Sequence, residues 1–343
     1  MSDLHKLKGS EAKRQEPLKR KKGLKLIRLP GLARIEVIRS MDIKEMINKY
    51  SSFQNCLSIF KHLQNIISFN SLCLDVNFER MTVEYFKEIL TEPILKDFGF
   101  LYIDQGEIDG ESLDLVMGMA NSNRHLRIDT KVPENYSHKN AFKFYFCSYW
   151  DARWVRIQDL FTLKNNDTVH LSWHTFSYSD MNNYIKYWID SDHDMVRVMK
   201  LYTSEPIQPE SLFDGIVVLK HPGIRGATYL VAANRTKQRK HQIMGVVWDD
   251  NRLRLYSWDK NEPIRFEENV YAESWAPEYK ILIILNKKKE LEGKLKQIQK
   301  LLETSQDQNL VKRKNEIAGE LQNVSQEVAS LNLVLRDGVY SYE

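Results

Sequence analysis

The sequence predicts an α+β protein in three parts: a helical N-terminal segment, a mixed α/β body with several β-strands, and a C-terminal helical coiled-coil hairpin. Three observations predict it. Leu29-Pro30 is followed by apolar residues at Leu32, Ile35, Ile38 and Met41, one row along a helical face. From Leu72 onward, short alternating runs take turns with amphipathic helical runs. From Leu291 onward, apolar residues step by four and three. With 343 residues, 42% of them hydrophobic, the chain can fill two ordinary domains, or one large domain with extensions.

The first 23 residues read as a disordered basic tail. They hold Lys6, Lys8, Lys13, Arg14 and Lys19-Arg20-Lys21-Lys22 and too little apolar surface to offset the entropy of ordering. The run from Lys19 to Lys22 fits either a nuclear import signal or nucleic-acid contact, or else a solvated tail. Nothing in it resembles the apolar core of a secretory signal. No run of 18 or more apolar residues occurs, so no membrane-spanning helix is expected. Mean hydropathy is −0.49, as for a soluble chain. The three cysteines, Cys56, Cys73 and Cys147, are spaced neither as a disulfide framework nor as a zinc site, which points to a reducing compartment, cytoplasm or nucleus.

Residues 24–67 form the next unit. Proline at position 30 suits a first helical turn, where its missing N–H costs nothing. Val37 widens the apolar row, and Met46, Ile47, Tyr50 and Phe53 continue it after the Met41-Asp42 break. Leu57, Phe60, Leu63 (or Gln64) and Ile67 have helical period and are expected to pack on the preceding pair. Two short apolar helices cannot bury both their faces against each other alone. The order Leu29-Pro30, Val37-Ile38, Met41, Asp42, followed by Glu45-Met46-Ile47 and Ser51-Ser52, resembles an F-box of the nematode type. The chain departs from that pattern at Phe53-Gln54. The resemblance implies docking of Leu29, Pro30, Leu32, Ile35, Val37, Ile38 and Met41 on a Skp-type linker subunit, and through it on a cullin ligase.

The body, 68–270, unfolds element by element. Leu72, Leu74, Val76 and Phe78 alternate as a half-buried strand. Met81 to Leu90 is helical, with Thr82 as its cap. A strand, FGFLYID, follows. Leu113 to Met119 is ambiguous and fits a short helix after Asp109-Gly110. HLRIDTKV is a strand, and alternation from Phe142 to Tyr149 predicts another. Trp154 to Leu163 fits either strand or helix. TVHLSWHTF predicts a strand with Val169, Leu171 and Trp173 on one face. Ser179 is the expected cap of a helix carrying Met181, Tyr184, Ile185 and Trp188, and MVRVMKLYT closes the unit as a strand. This strand–loop–helix–strand order, at roughly 30-residue spacing, resembles leucine-rich-repeat-like or small α+β units.

Within it, Val169 to Thr203 resembles the type-2 F-box-associated domain, whose core would run from about 150 to 220. The matching residues are Asp180 to Asn183, Lys186-Tyr187-Trp188-Ile189 and the Ser191 to Asp194 turn; the usual Gly-Ser-Asn of that turn is missing. Read physically, Trp173, Ile185, Trp188 and Ile189 are core anchors. After 203 the chain stays mostly β, with a hairpin at Asp249-Asp250-Asn251. Arg235, Lys237, Arg239, Lys240 and His241 form a basic loop, either a contact surface or solvated.

Residues 277–337 read as coiled coil. Leu291, Leu295, Ile298 and Leu302 form one seam; Ile317, Leu321, Val324, Val328, Leu331 and Leu335 form another, one position out of phase. An antiparallel hairpin fits best, with a single broken helix as the alternative, and either leaves a seam that must pack on the body or on a second copy.

Candidate chemistry is sparse. No P-loop, GxGxxG, GxSxG or HExxH occurs. His170 and His174 lie on a strand end and share no helical face. Cys147 lies among aromatics with no neighbouring base, and Asp180 and Asp192 to Asp194 are explained by a helix cap and a turn. No enzyme, metal or cofactor is expected. The two resemblances together imply a substrate-recognition adaptor of an SCF-type ubiquitin ligase, binding an unknown substrate protein through the associated domain. The alternatives are a nucleic-acid-binding protein using the basic tail and strand aromatics, or a coiled-coil scaffold.

Overall fold

The structure, a computed structural model, describes residues 72–343 apart from 81, 94, 96, 203–208, 223–226, 250–251 and 305–306. The basic tail (1–23), the F-box-like segment with Leu29, Pro30, Leu32, Ile35, Val37, Ile38 and Met41, and the helical run at 56–67 therefore lie outside the described residues.

The body is mixed α/β around one twelve-stranded sheet. Its first half is parallel. Strands β1 (Leu72–Asn77), β2 (Phe98–Glu107), β3 (His125–Lys131), β4 (Phe146–Tyr149), β5 (Asn166–Leu171) and β6 (Val196–Tyr202) lie side by side in chain order. Parallel neighbours require a crossover each time. Four of these carry helices: α1 (Val83–Thr91), α2 (Gly110–Gly118), the single turn α3 (Ile157–Leu160) and α4 (Tyr178–Asp190). The β3–β4 crossover is a loop instead, packed by Tyr136, Phe142 and Phe144.

The second half runs antiparallel through β10 (Arg252–Trp258), β9 (Ile243–Asp249), β8 (Thr228–Ala232) and β7 (Leu219–His221), in that spatial order from β6. Asp249 stands opposite Arg252, the expected hairpin. Gly245 in β9 is required by packing: a Cβ there would meet the Trp258 ring at 2.4 Å. A one-turn helix α5 (Pro209–Leu212) precedes β7, and a two-stranded ribbon β11 (Arg265–Phe266) and β12 (Asn269–Val270) follows β10.

Helices α6 (Ala276–Leu302) and α7 (Gln308–Ala329) form the helical hairpin, two helices rather than one. Leu291, Ile298, Ile317 and Val324 bury against one another along its seam. The helical reading of 277–337 fails at its end. Helix α7 stops at Ala329; Asn332 adopts a φ of 51°, and β13 (Leu333–Arg336) pairs with β14 (Val339–Tyr342). Asp337-Gly338, with φ of 51° and 76°, supplies the tight turn that twisted hairpins favour. Strand β14 then extends the large sheet beside β7, so Leu331 and Leu335 leave the seam, and Leu335 is exposed.

Caps decide the helix starts. Thr82 accepts from Tyr85 N and Asp109 from Ser112 N. The cap of α4 is Ser177, not Ser179. Ser177 Oγ accepts from Asp180 N (3.1 Å) while Ser177 N donates to Asp180 Oδ2 (2.9 Å), and this reciprocal box leaves Ser179 inside the first turn. The strand expected from Phe142 begins only at Phe146. Asn166 Nδ2 donates to the carbonyls of Phe142 (2.9 Å) and Phe144 (2.7 Å), satisfying them away from any ladder. Trp154 to Leu163 is turns around α3 rather than a strand.

Two faces of the sheet are treated differently. One is buried along its length: Leu101, Ile103, Leu126, Ile128, Cys147, Val169, Leu171, Met199 and Leu201 pack with Phe86, Val116 and Trp188 from the crossover helices. Each such side chain contributes roughly 1.5–3 kcal/mol by leaving water. The other face is covered from β6 across the antiparallel half, where Val198, Leu219, Leu230 and Tyr256 meet Leu282 and Leu285 of α6. Over β1 to β5 no described helix covers it.

Candidate functional site

The face of β1 to β5 that no described helix covers carries a regular pattern of side chains. The period-2 alternation of each strand sends one set of side chains to it, and the parallel register lines them up in rows across strands. The first row runs Cys73, Phe100, His125, Phe146 and Thr168. Its rings form a ladder: Phe100 to His125 at 5.9 Å, and His125 to Phe146 stacked at 5.8 Å. Tyr145 leans on His125 at 5.4 Å.

The second row runs Asp75, Tyr102, Arg127, Ser148, His170 and Lys200. Tyr102 Oη donates to Asp129 Oδ2 (3.1 Å), Arg127 Nε donates to the same oxygen (2.9 Å), and the Arg127 guanidinium lies 4.9 Å from the Tyr102 ring centre. Burial, then the Asp129 charge, pushes the Tyr102 hydroxyl up, so it stays a donor. Burial, then Asp104, raises the Asp75 carboxyl. His170 stacks on Tyr202 at 5.1 Å. Burial, then the Lys200 and Arg127 charges, pulls His170 down to about 4, so it is neutral at physiological pH.

At the carboxyl ends of β4 and β5, where parallel α/β sheets place ligands, two tryptophans protrude. Trp150 follows β4 directly, Trp173 comes two residues after β5, and their rings are 5.6 Å apart. Trp150 is 47% exposed and Trp173 59%. Trp173 was expected in the core beside Val169 and Leu171. The strand ends at Leu171 and a φ of 45° at Trp173 turns the residue out of the alternation, so the ring reaches solvent. A left-handed backbone at a bulky non-glycine residue is costly, and such strain clusters at functional positions. Asp151, almost fully buried, anchors the turn behind Trp150 by accepting from Arg153 Nε (2.8 Å) and Nη2 (2.7 Å).

The other residues singled out from sequence lie elsewhere. Ile185 and Trp188 are fully buried on α4, and Ile189 is half-buried at its end. The basic loop is not simply solvated. Arg239 turns inward over Trp188, Lys240 pairs with Glu262 (2.8 Å), and Asp194 accepts from the backbone N–H groups of Lys240 (3.2 Å) and His241 (2.8 Å). His174 is held by Phe176, whose N–H it accepts (3.2 Å), and burial pulls it down to about 4. Burial pushes the Cys147 thiol up to about 12, which leaves it no nucleophile. Among the described residues, no group of three or more His, Cys, Asp or Glu side chains could hold a metal ion, and no helix is long and apolar enough to cross a membrane.

Tyr102 and Arg127 of the uncovered sheet face and the two exposed indoles at its edge belong to the residue types, Tyr, Arg and Trp, that are enriched at protein-binding hot spots. Compared with known protein families, curated proteins and solved structures, the chain matches none of them.

Proposed function

We propose that the protein is a substrate-recognition adaptor of an SCF-type ubiquitin ligase, in which residues 29–53 dock on a Skp-type linker and the uncovered sheet face binds a substrate protein. The observation that carries the reading is that face, with Trp150 and Trp173 exposed at its edge. The residue order from Leu29-Pro30 to Asp42 supports the linker half. The run of sequential parallel strands supports a leucine-rich-repeat-like, F-box-associated body. Such an adaptor performs no chemistry itself. It raises the local concentration of substrate beside the ubiquitin-loaded enzyme, so its work is bivalent binding.

Two features weigh against the alternatives. Asp75 and Asp104 stand among the aromatics of the face, where their charges repel a phosphate backbone. The heptad seams of α6 and α7 bury against each other within one chain, which leaves little seam for scaffolding.

Co-purification with a panel of Skp-type linkers tests the reading. Stoichiometric binding is expected, and the double substitution Val37→Asp, Ile38→Asp abolishes it while the body stays folded. Undiminished linker capture by that variant, or no binding by the folded parent chain, overturns the proposal.

A further inference from the structure

A second feature, independent of the adaptor reading, lies on the other half of the molecule. A cavity of about 690 Å³ opens between the end of α4, the loop before β7, the β8–β9 loop and the first half of α6. That volume is typical of small-molecule sites. Ile189, Ile216, Val217, Ala232 and Ile283 give it an apolar floor, and Lys186, Arg235, Lys287 and Lys289 give it a cationic rim.

Two of these cations converge. Lys289 Nζ donates to the Gly215 carbonyl, and a Cβ placed on Gly215 would stand 3.4 Å from Lys186 Nζ. Among the described residues neither ammonium is in an ion pair with a carboxylate. The two carboxylates that line the cavity are engaged: Glu290 holds Lys294 (2.5 Å) and Asp190 accepts from Asn234 Nδ2 (3.2 Å). Partial burial, then the Lys186 charge, pulls Lys289 below lysine's ordinary value, and Asp214 offsets this only in part. Four cations against two carboxylates, one of them already bound to Lys294, leave the cavity with an excess of positive charge, and lysine binds phosphate as a point charge.

We infer that this cavity binds a small organic phosphate monoester, its dianionic headgroup between Lys186 and Lys289 near Arg235 and its apolar body on Ile216, Val217 and Ile283. The double charge matches two converging ammonium groups better than a single carboxylate does. The apolar floor favours a compact ligand over a polymer backbone, which needs a polar track along its length.

The test is calorimetric titration of the full chain with phenyl phosphate, inorganic phosphate and phenol. Phenyl phosphate should bind at least about tenfold more tightly than either of the others. Lys186→Gln with Lys289→Gln should weaken it by at least about tenfold. Arg235→Gln, at an exposed position, should weaken it several-fold with an unchanged circular dichroism spectrum, so a folding defect in the double variant would not blunt the test. Absence of phenyl phosphate binding in the millimolar range, or equal affinity in parent and both variants, overturns the site. Equal affinity for inorganic and phenyl phosphate overturns the apolar half of the inference. A single-stranded oligonucleotide that displaces phenyl phosphate through the same lysines would overturn the small-ligand assignment.

Discussion

The Arg239 guanidinium lies over the indole of Trp188, 3.9 Å from the ring centre, deep under the loop that joins β8 to β9. The basic loop thus gives up one of its charges to the core. Nε and Nη2 of Arg239 find no hydrogen-bond partner among the described residues, and Nη1 reaches only the His193 carbonyl at 3.5 Å. Burial pulls this arginine down to about 10, against a smaller pull upward from Asp194.

Two opposed effects of similar size follow. Stacking on a desolvated indole is worth about 2 kcal/mol, and an unpaired buried charge costs a few kcal/mol. Arg239→Met, which keeps the stem and removes the charge, should therefore change stability by less than about 1 kcal/mol. Trp188→Ala should cost about 3–5 kcal/mol because it empties the core under α4. Urea unfolding of both variants checks this; a loss above about 3 kcal/mol for Arg239→Met would show that the stack dominates.

Trp173 should contribute little to stability. Its ring is mostly in solvent and its φ of 45° is one that glycine adopts freely. Trp173→Gly is expected to leave unfolding free energy within about 1 kcal/mol, either way, as strain relief offsets lost ring contact. A loss above about 2 kcal/mol would make Trp173 a structural residue and remove it from the proposed recognition face.

His170 and His174 set a pH dependence. Both are pulled from the unfolded value near 6.5 to about 4. The folded state holds them neutral, so their contribution is full above pH 6.5 and is lost as pH falls toward 4. The unfolded chain binds more protons in that window, so stability should decline there by up to about 3 kcal/mol per histidine. His170→Gln with His174→Gln should flatten the decline between pH 6.5 and 4. An equally steep decline in that double variant would place the cause elsewhere.

Cysteine reactivity should separate cleanly. Cys147 is fully buried and pushed up to about 12, whereas Cys73 is exposed on β1 and raised by burial and then Asp75. Iodoacetamide on the native chain should label Cys73 slowly and spare Cys147 until denaturant is added, as peptide mapping will read. Early labelling of Cys147 would mean that the β4 region opens readily.

Much of the body is written in local pattern. Thr82 and Asp109 mark helix starts by their own hydroxyl and carboxylate, and the β9–β10 hairpin is announced by its turn residues. Local pattern misleads where a distant side chain decides. Asn166, some twenty residues away, takes the Phe142 and Phe144 carbonyls and delays β4. Trp173 continues an alternation that its own backbone breaks. Leu331 and Leu335 keep heptad phase past a helix that Asn332 and Asp337-Gly338 fold back into strands; that Asp-Gly pair was readable as a hairpin turn. The rows of the proposed recognition face were not readable, because they exist only once strands distant in sequence come into register. The apposition of Lys186 and Lys289 is hidden in the same way, since it depends on where α6 crosses the sheet.

The division of labour between the N-terminal segment and the uncovered face is the centre of this account. Hydrogen–deuterium exchange of the full chain with and without a bound Skp-type linker tests it most directly. Protection confined to 29–53, with β1 to β5 exchanging as in the free protein, is the predicted result. Protection across Phe100, Tyr102, Arg127 and Phe146 on linker binding, with 29–53 unchanged, would contradict it.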